Sequence, residues 1–166
     1  MSDLSHFDES GASRMVDVGD KTISLRLARA TAIIRMSPDT LRLIRDRKMS
    51  KGDVLEVARL AGIMSAKRTS DLIPLCHPLP LESVEVAFAF PDETSVQIET
   101  TARVTAKTGV EMEALVAAST TALTIYDMCK SVDREMVIEQ IQLEEKQGGR
   151  SGHFVRDRGQ ANEEAS

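Results

Sequence analysis

An α+β domain, with one antiparallel sheet and helices packed on one face, is what the order of periodicities in this chain predicts. Three observations carry it. Residues 83–90 and 95–106 alternate apolar with polar on either side of a Pro91-Asp92-Glu93-Thr94 turn, as an antiparallel pair does. Helical patterns stand before and after that pair. A further alternating stretch lies at each outer end, giving strand, two helices, two strands, helix, strand. That order is the ferredoxin-like split βαβ arrangement with its first helix doubled.

Each element has a local cause. Between Lys21 and Met36, Ile23, Leu25 and Leu27 alternate with Ser24, Arg26 and Ala28, the period of a strand. Ser37-Pro38-Asp39 starts a helix to about Arg47, with Ser as N-cap and Pro at the first helical position. Ser50-Lys51-Gly52-Asp53 reads as a capping-box-like start of a second helix, which places Lys51 in its first turn. The stripe of that helix is Val54, Val57, Ala58, Ala61 and Met64. Ala58, Ala61, Gly62 and Ser65 make one side small enough for another element to approach closely. The paired strands present Val84, Val86, Phe88 and Phe90, then Val96, Ile98, Thr100, Ala102 and Val104. Gly109 opens a long helix to about Val132. A last strand covers about Glu135 to Glu144, and a phase shift between Ile138 and Ile141 predicts a bulge. The sheet face away from the helices also carries apolar residues, and a neighbouring subunit is the simplest cover. Residues 1–14 read as a flexible N-terminus, 15–146 as one catalytic domain, and 147–166 as a Gly-rich mobile loop and disordered tail.

Composition narrows the function. The chain has 166 residues, 42% apolar and 28% charged, an ordinary soluble balance able to bury a real core. A net charge of −5 with no Trp and one Tyr argues against nucleic acid as a partner. It leaves room for a phosphorylated small molecule held by a local cluster of cations. No apolar run nears ~20 residues, so no membrane span is expected. The polar, acidic start is no signal peptide, and two cysteines form no disulfide framework, so the chain reads as cytoplasmic.

Three segments are dense in reactive groups. In Asp71-Leu72-Ile73-Pro74-Leu75-Cys76-His77-Pro78-Leu79-Pro80, three prolines stiffen the backbone around a thiol and an imidazole. Core packing requires neither group there. Adjacent Cys and His lack zinc-ligand spacing, and no second pair exists, so no metal is assigned. A thiol nucleophile has no support beyond proximity. Glu111 and Glu113 sit in the first turn of the long helix, where carboxylates also belong for dipole reasons alone. Asp127 and Lys130 share a helix face. Their apolar neighbours Ile125, Met128 and Cys129 suggest partial burial, and a partly buried Asp–Lys pair tunes acid and base strength. Lys51, at a helix start, opposes the helix dipole unless an anion binds there. Lys67, Arg68, Lys107, Lys146 and Arg150 complete a cation inventory near these segments. No Walker-type or dinucleotide-binding glycine motif occurs.

The run from Lys67-Arg68-Thr69 through Asp71 to Leu79 resembles the signature of the molybdenum cofactor biosynthesis protein C family. So do Lys107-Thr-Gly-Val-Glu-Met-Glu-Ala-Leu115, Ala122-Leu-Thr-Ile-Tyr-Asp-Met-Cys-Lys130, Met15-Val-Asp-Val18, Lys51-Gly-Asp53 and the Gly-Gly-x-Ser-Gly segment near the end. The likeness covers about residues 13 to 155. One departure is Arg150, where the family often has Lys, and both bind phosphate. The resemblance implies a lyase that takes the cyclised dihydro-GTP made by the preceding radical enzyme. It converts this to cyclic pyranopterin monophosphate and releases pyrophosphate. It further implies Asp127 as active-site acid, Lys51 and Lys130 as catalytic lysines, and Leu75, Cys76, His77, Met112 and Glu113 as substrate-binding residues. Glu111, Lys67, Arg68, Lys107, Lys146 and Arg150 join them as candidate substrate contacts. No cofactor is required, and Mg²⁺ at the substrate triphosphate stays open. The family's homo-oligomer is a hexamer, a trimer of dimers, and the Glu113-to-Asp127 separation along one helix places the sites between subunits. The rival reading is a non-enzymatic nucleotide-sensing module on the same fold.

Overall fold

The computed structural model describes residues 10–149 and 152–157. Its elements are β1 (Ser24–Arg35), α1 (Pro38–Arg45), α2 (Val54–Ala66), α3 (Thr69–Leu72), β2 (Ser83–Ala89), β3 (Ser95–Ala106), α4 (Glu111–Cys129), β4 (Val137–Gln147) and β5 (Phe154–Val155). The sheet order is β2-β3-β1-β4-β5, and every neighbouring pair is antiparallel. With β1 and β3 central, this is the ferredoxin-like order the sequence predicts. The short α3 and β5 lie outside that expectation.

The starts and stops follow local chemistry. Ser37 caps α1 by accepting from the Thr40 backbone N–H at 3.3 Å. Asp133 steadies the same end, accepting from the Ser37 N–H at 2.8 Å and the Thr40 hydroxyl at 3.1 Å. α2 differs from its sequence reading. Its cap is Asp53, which accepts from the Glu56 N–H at 3.2 Å, so Ser50 is no cap and Lys51 lies outside the helix. A turn at Gly52, with φ of 98°, separates the two.

The β1 alternation identifies a strand but reverses its faces. Ala28, Ala30, Ala32 and Ile34 are fully buried under the helices, while Ile23 and Leu25 are exposed. Small residues win the inner face because α4 lies close over β1 with small residues of its own, Ala114, Ala118 and Ala122. On β2 and β3 the inner phase is the one expected, with Val86, Val96, Ile98, Thr100 and Val104 buried. Thr100 donates its hydroxyl to the Ala114 carbonyl at 2.8 Å, pinning the first turns of α4 to the sheet.

On α2 the buried residues are Val54, Ala58, Gly62 and Ala66, whereas Val57 and Met64 turn outward. A Cβ on Gly62 would overlap the Thr121 hydroxyl, so α2 and α4 cross too closely for any other residue. The β4 phase shift is a bulge in its pairing with β1 between Gln140 and Ile138. A second, unforeseen one lies between Glu145 and Leu143.

The sheet face away from the helices carries a set of cross-strand ion pairs. Arg29 bonds Glu99 at 2.9 Å and Glu145 at 3.2 Å, and Arg35 bonds Glu139 at 2.7 Å. Beside these ions the face exposes Leu25 on β1, Val137 opposite Arg35 on β4 and Val155 opposite Glu145 on β5.

Candidate active site

The chain gathers its candidate residues at the two ends of α4. At the N-terminal end, a cavity of about 610 Å³ opens between the start of β1, the β3–α4 loop and the end of β4. Four cationic side chains line it: Lys21, Arg26, Lys107 and Lys146. Arg26 is buried, donating Nε to the Ala106 carbonyl and Nη2 to the Lys107 carbonyl, each at 3.3 Å. Gly148 and Gly149 lie over it with φ of 94° and 80°, and a Cβ on Gly149 would overlap the guanidinium. Lys107 Nζ donates to the Gly19 carbonyl at 2.5 Å. The first turn of α4 enters the same space, and its N-cap Val110 offers the helix N–H groups no side-chain acceptor, an arrangement suited to anionic oxygen.

A second cavity of about 260 Å³ adjoins the first, sharing Lys21, Thr108, Gly109 and Glu111. Leu75, Cys76, His77, Met112 and Glu113 line it. The proline-framed segment and the start of α4 thus meet, as the sequence motifs suggest. Burial raises the Cys76 thiol pKa, and Glu113 raises it further. Such a thiol is a poor nucleophile at neutral pH. Cys76→Ser should retain most turnover, and total loss with intact substrate binding would give the thiol a chemical role.

Glu113 is the unusual acid here. It is 4% exposed, and burial pushes its pKa up to about 7, with Glu111 adding to the rise. Because the folded pKa lies above the unfolded one, stability is greatest below the unfolded pKa and falls as pH rises through 7. In the single chain, Glu113→Gln should add on the order of 2–3 kcal/mol at pH 8. That gain should shrink as pH falls toward 4.5, which thermal melts across that range would check.

The other cluster sits at the C-terminal end of α4. Lys130 Nζ meets Asp127 Oδ1 at 2.6 Å. Lys51, carried on the loop before α2, donates to the Asp127 backbone carbonyl at 3.0 Å. This corrects the Lys51 reading. It occupies the negative end of α4, where a cation is stabilised, rather than opposing the dipole of α2. The Lys130 hydrogen bond and charge, with Lys51 behind them, hold the Asp127 carboxyl below its usual range, and Asp127 holds Lys130 above its own. The pair is more exposed than its neighbours suggest, at 61% for Asp127 and 52% for Lys130. Ile125, Met128 and Cys129 point into the core and leave Asp127 and Lys130 on the outer side.

Lys67 and Arg68 lie exposed at the C-terminal end of α2 and line neither cavity. Arg150 falls outside the described residues. Sequence reasoning missed Lys21 and Arg26. Lys21 carried no motif signal. The signal for Arg26 was its phase, which it shares with Ala28, Ala30 and Ala32 on the buried face of β1.

Known proteins converge on one family. The MoaC family model matches residues 15–149. A protein of Magnetococcus marinus is 61% identical over 95% of this chain and 97% of its own, and one of Roseiflexus sp. is 61% identical over 95% and 100%. One of Heliobacterium modesticaldum is 56% identical over 95% and 99%. All three are named cyclic pyranopterin monophosphate synthase. With that identity maintained across nearly its whole length, this chain belongs to the MoaC family.

Proposed function

We infer that the chain is a lyase of molybdenum cofactor biosynthesis, converting cyclised dihydro-GTP to cyclic pyranopterin monophosphate and pyrophosphate. Identity of 53–61% to enzymes of that name over most of the chain carries the conclusion. It also sets aside the sensing-module alternative. No helix among the described residues is long and apolar enough to cross a membrane. The reading places the enzyme in the cytoplasm, on a small-molecule substrate handed on by the preceding radical enzyme.

The geometry supports a division of labour. The four-cation cavity suits the triphosphate, whose outer phosphates leave as pyrophosphate when a substrate oxygen closes on the inner phosphorus. Cations there offset charge developing on the leaving group. The adjoining cavity, with His77 and Glu113, suits the ring. Asp127 and Lys130 supply a carboxylate and an ammonium in contact, and Lys51 a second ammonium beside them, for the proton transfers of rearrangement. No resident cofactor is assigned, and any Mg²⁺ would arrive with the triphosphate.

One chain cannot bring these groups to one reacting centre. Glu113 and Asp127 are fourteen residues apart, roughly 21 Å along α4. The reading therefore places each site between subunits of a homo-oligomer, a hexamer built as a trimer of dimers, with Asp127 and Lys130 of one chain facing His77 and Glu113 of another. Pyrophosphate release tests the chemical roles. Lys51→Ala and Lys130→Ala should each lower kcat by about two to four orders of magnitude with circular dichroism unchanged. Unfolding of these variants would make the lysines structural instead.

A further inference from the structure

Lys130 is the C-cap of α4, the first residue beyond the helix, so its ammonium stands on a turn rather than on a regular element. Helix ends fray unless something holds them. From Lys130 to Glu135 every residue except Asp133 is exposed, so packing does little to fix this turn. Three of its bonds are local. The Val132 and Asp133 N–H groups donate to the Cys129 carbonyl at 2.9 and 3.1 Å, and the Tyr126 hydroxyl donates to the Arg134 carbonyl at 3.2 Å. They join the turn to the helix end it follows and to nothing else.

The Asp133 side chain reaches further. One carboxylate oxygen accepts from the Ser37 N–H at 2.8 Å and the Thr40 hydroxyl at 3.1 Å, at the start of α1. The other accepts from the Glu135 N–H at 3.2 Å and closes the turn on itself. Among the described residues, no other hydrogen bond or ion pair from 131–135 leaves α4 and the turn. The Ser37 N–H, foremost among these donors, holds the Asp133 carboxyl below its usual range. The anchor it grips is firm, because Thr40, Leu41 and Ile44 of α1 are buried. Ser37 already serves α1 as N-cap, so the bridge steadies the turn as much as the helix.

We propose that Asp133 is a positioning residue for the reaction. By fastening the turn after α4 to α1, it fixes where the Lys130 ammonium stands beside Asp127. This rests on the acid–base reading of Asp127 and Lys130 above and acts through Lys130 alone. Their contact of 2.6 Å joins two exposed side chains, so it holds only if the backbone beneath Lys130 is held. Displacing a reacting group by about 1 Å costs on the order of 10²-fold in rate.

In Asp133→Ala, kcat for pyrophosphate release should fall about 10–100-fold with KM little changed. Asp92 is the control. It makes a matched set of bonds in the turn between β2 and β3, accepting from the Thr94 N–H, the Thr94 hydroxyl and the Ser95 hydroxyl at 2.7, 2.8 and 3.0 Å. Asp92→Ala should lower the melting temperature comparably and leave kcat as in the parent. Should Asp133→Ala fail to fold, Asp133→Asn keeps the volume. Its amide has one acceptor oxygen, so it cannot keep both the α1 and the Glu135 contacts, and kcat should fall again. Coupling decides the role. In a Lys130→Ala background, Asp133→Ala should cost less than about threefold more turnover, because the group it positions is gone. The same loss in both backgrounds overturns the inference and leaves Asp133 structural, as does parental kcat in Asp133→Ala. Failure of the acid–base reading looks different: Lys130→Ala alone would then turn over like the parent, and the inference would fall with it.

Discussion

Asp127→Asn should cut turnover by about 10²–10⁴-fold in a chain that folds as the parent does. The substitution is nearly isosteric and removes only the charge. Asp127 is largely exposed, and its carboxylate contacts Lys130 at 2.6 Å without contributing to the core. A solvent-exposed ion pair contributes little to stability, so the melting temperature should hardly move. Chemistry is another matter. With Asn at this position the carboxylate in contact with Lys130 is gone, and so is the acceptor for any proton passed along the pair. A fall in kcat of about 10²–10⁴-fold is expected from losing a positioned acid–base group. The KM should change far less, because the four-cation cavity sits at the other end of α4. Turnover near the parent's in a well-folded Asp127→Asn protein would remove this residue from the mechanism. A rise in KM alone would make it a binding group.

The fold was legible because its periods are clean. Val84 to Phe88 and Val96 to Val104 alternate over enough residues to fix both strands and their faces, and Ser37-Pro38 marks a helix start by capping chemistry alone. What misled was size. Large apolar residues at Ile23, Leu25 and Leu27 outweighed small ones at Ala28, Ala30 and Ala32 in the reading of β1, yet a close helix selects small residues for the inner face. The same inversion hid Arg26 by making a buried guanidinium look like a solvent-facing one. Lys51 was misplaced by one turn of chain. Ser50 and Asp53 both suit an N-cap, and only the bonded geometry chooses Asp53. The charged motifs announced themselves by density, but sequence spacing could not show that they divide between the two ends of α4 beyond the length of the helix itself. The self-paired charges on the open sheet face depend on cross-strand register, which the bulges of β4 shift.

The second large effect is the restoration of activity from two dead proteins. Asp127→Asn damages the C-terminal cluster, and His77→Ala damages the cavity at the other end. If each site draws one cluster from each of two chains, a hybrid dimer has one site with both lesions and one with neither. Random exchange at equal amounts makes half the dimers hybrid, so about a quarter of all sites are intact. Activity should therefore rise from near zero to roughly a quarter of the parent's, and it should rise at the rate of subunit exchange. This mixing experiment, with exchange verified by the mass of differently tagged chains, tests most directly that two chains build each site. Return of about a quarter of parental turnover is the predicted result. Complete exchange with no turnover would contradict it and confine the reacting groups to a single chain.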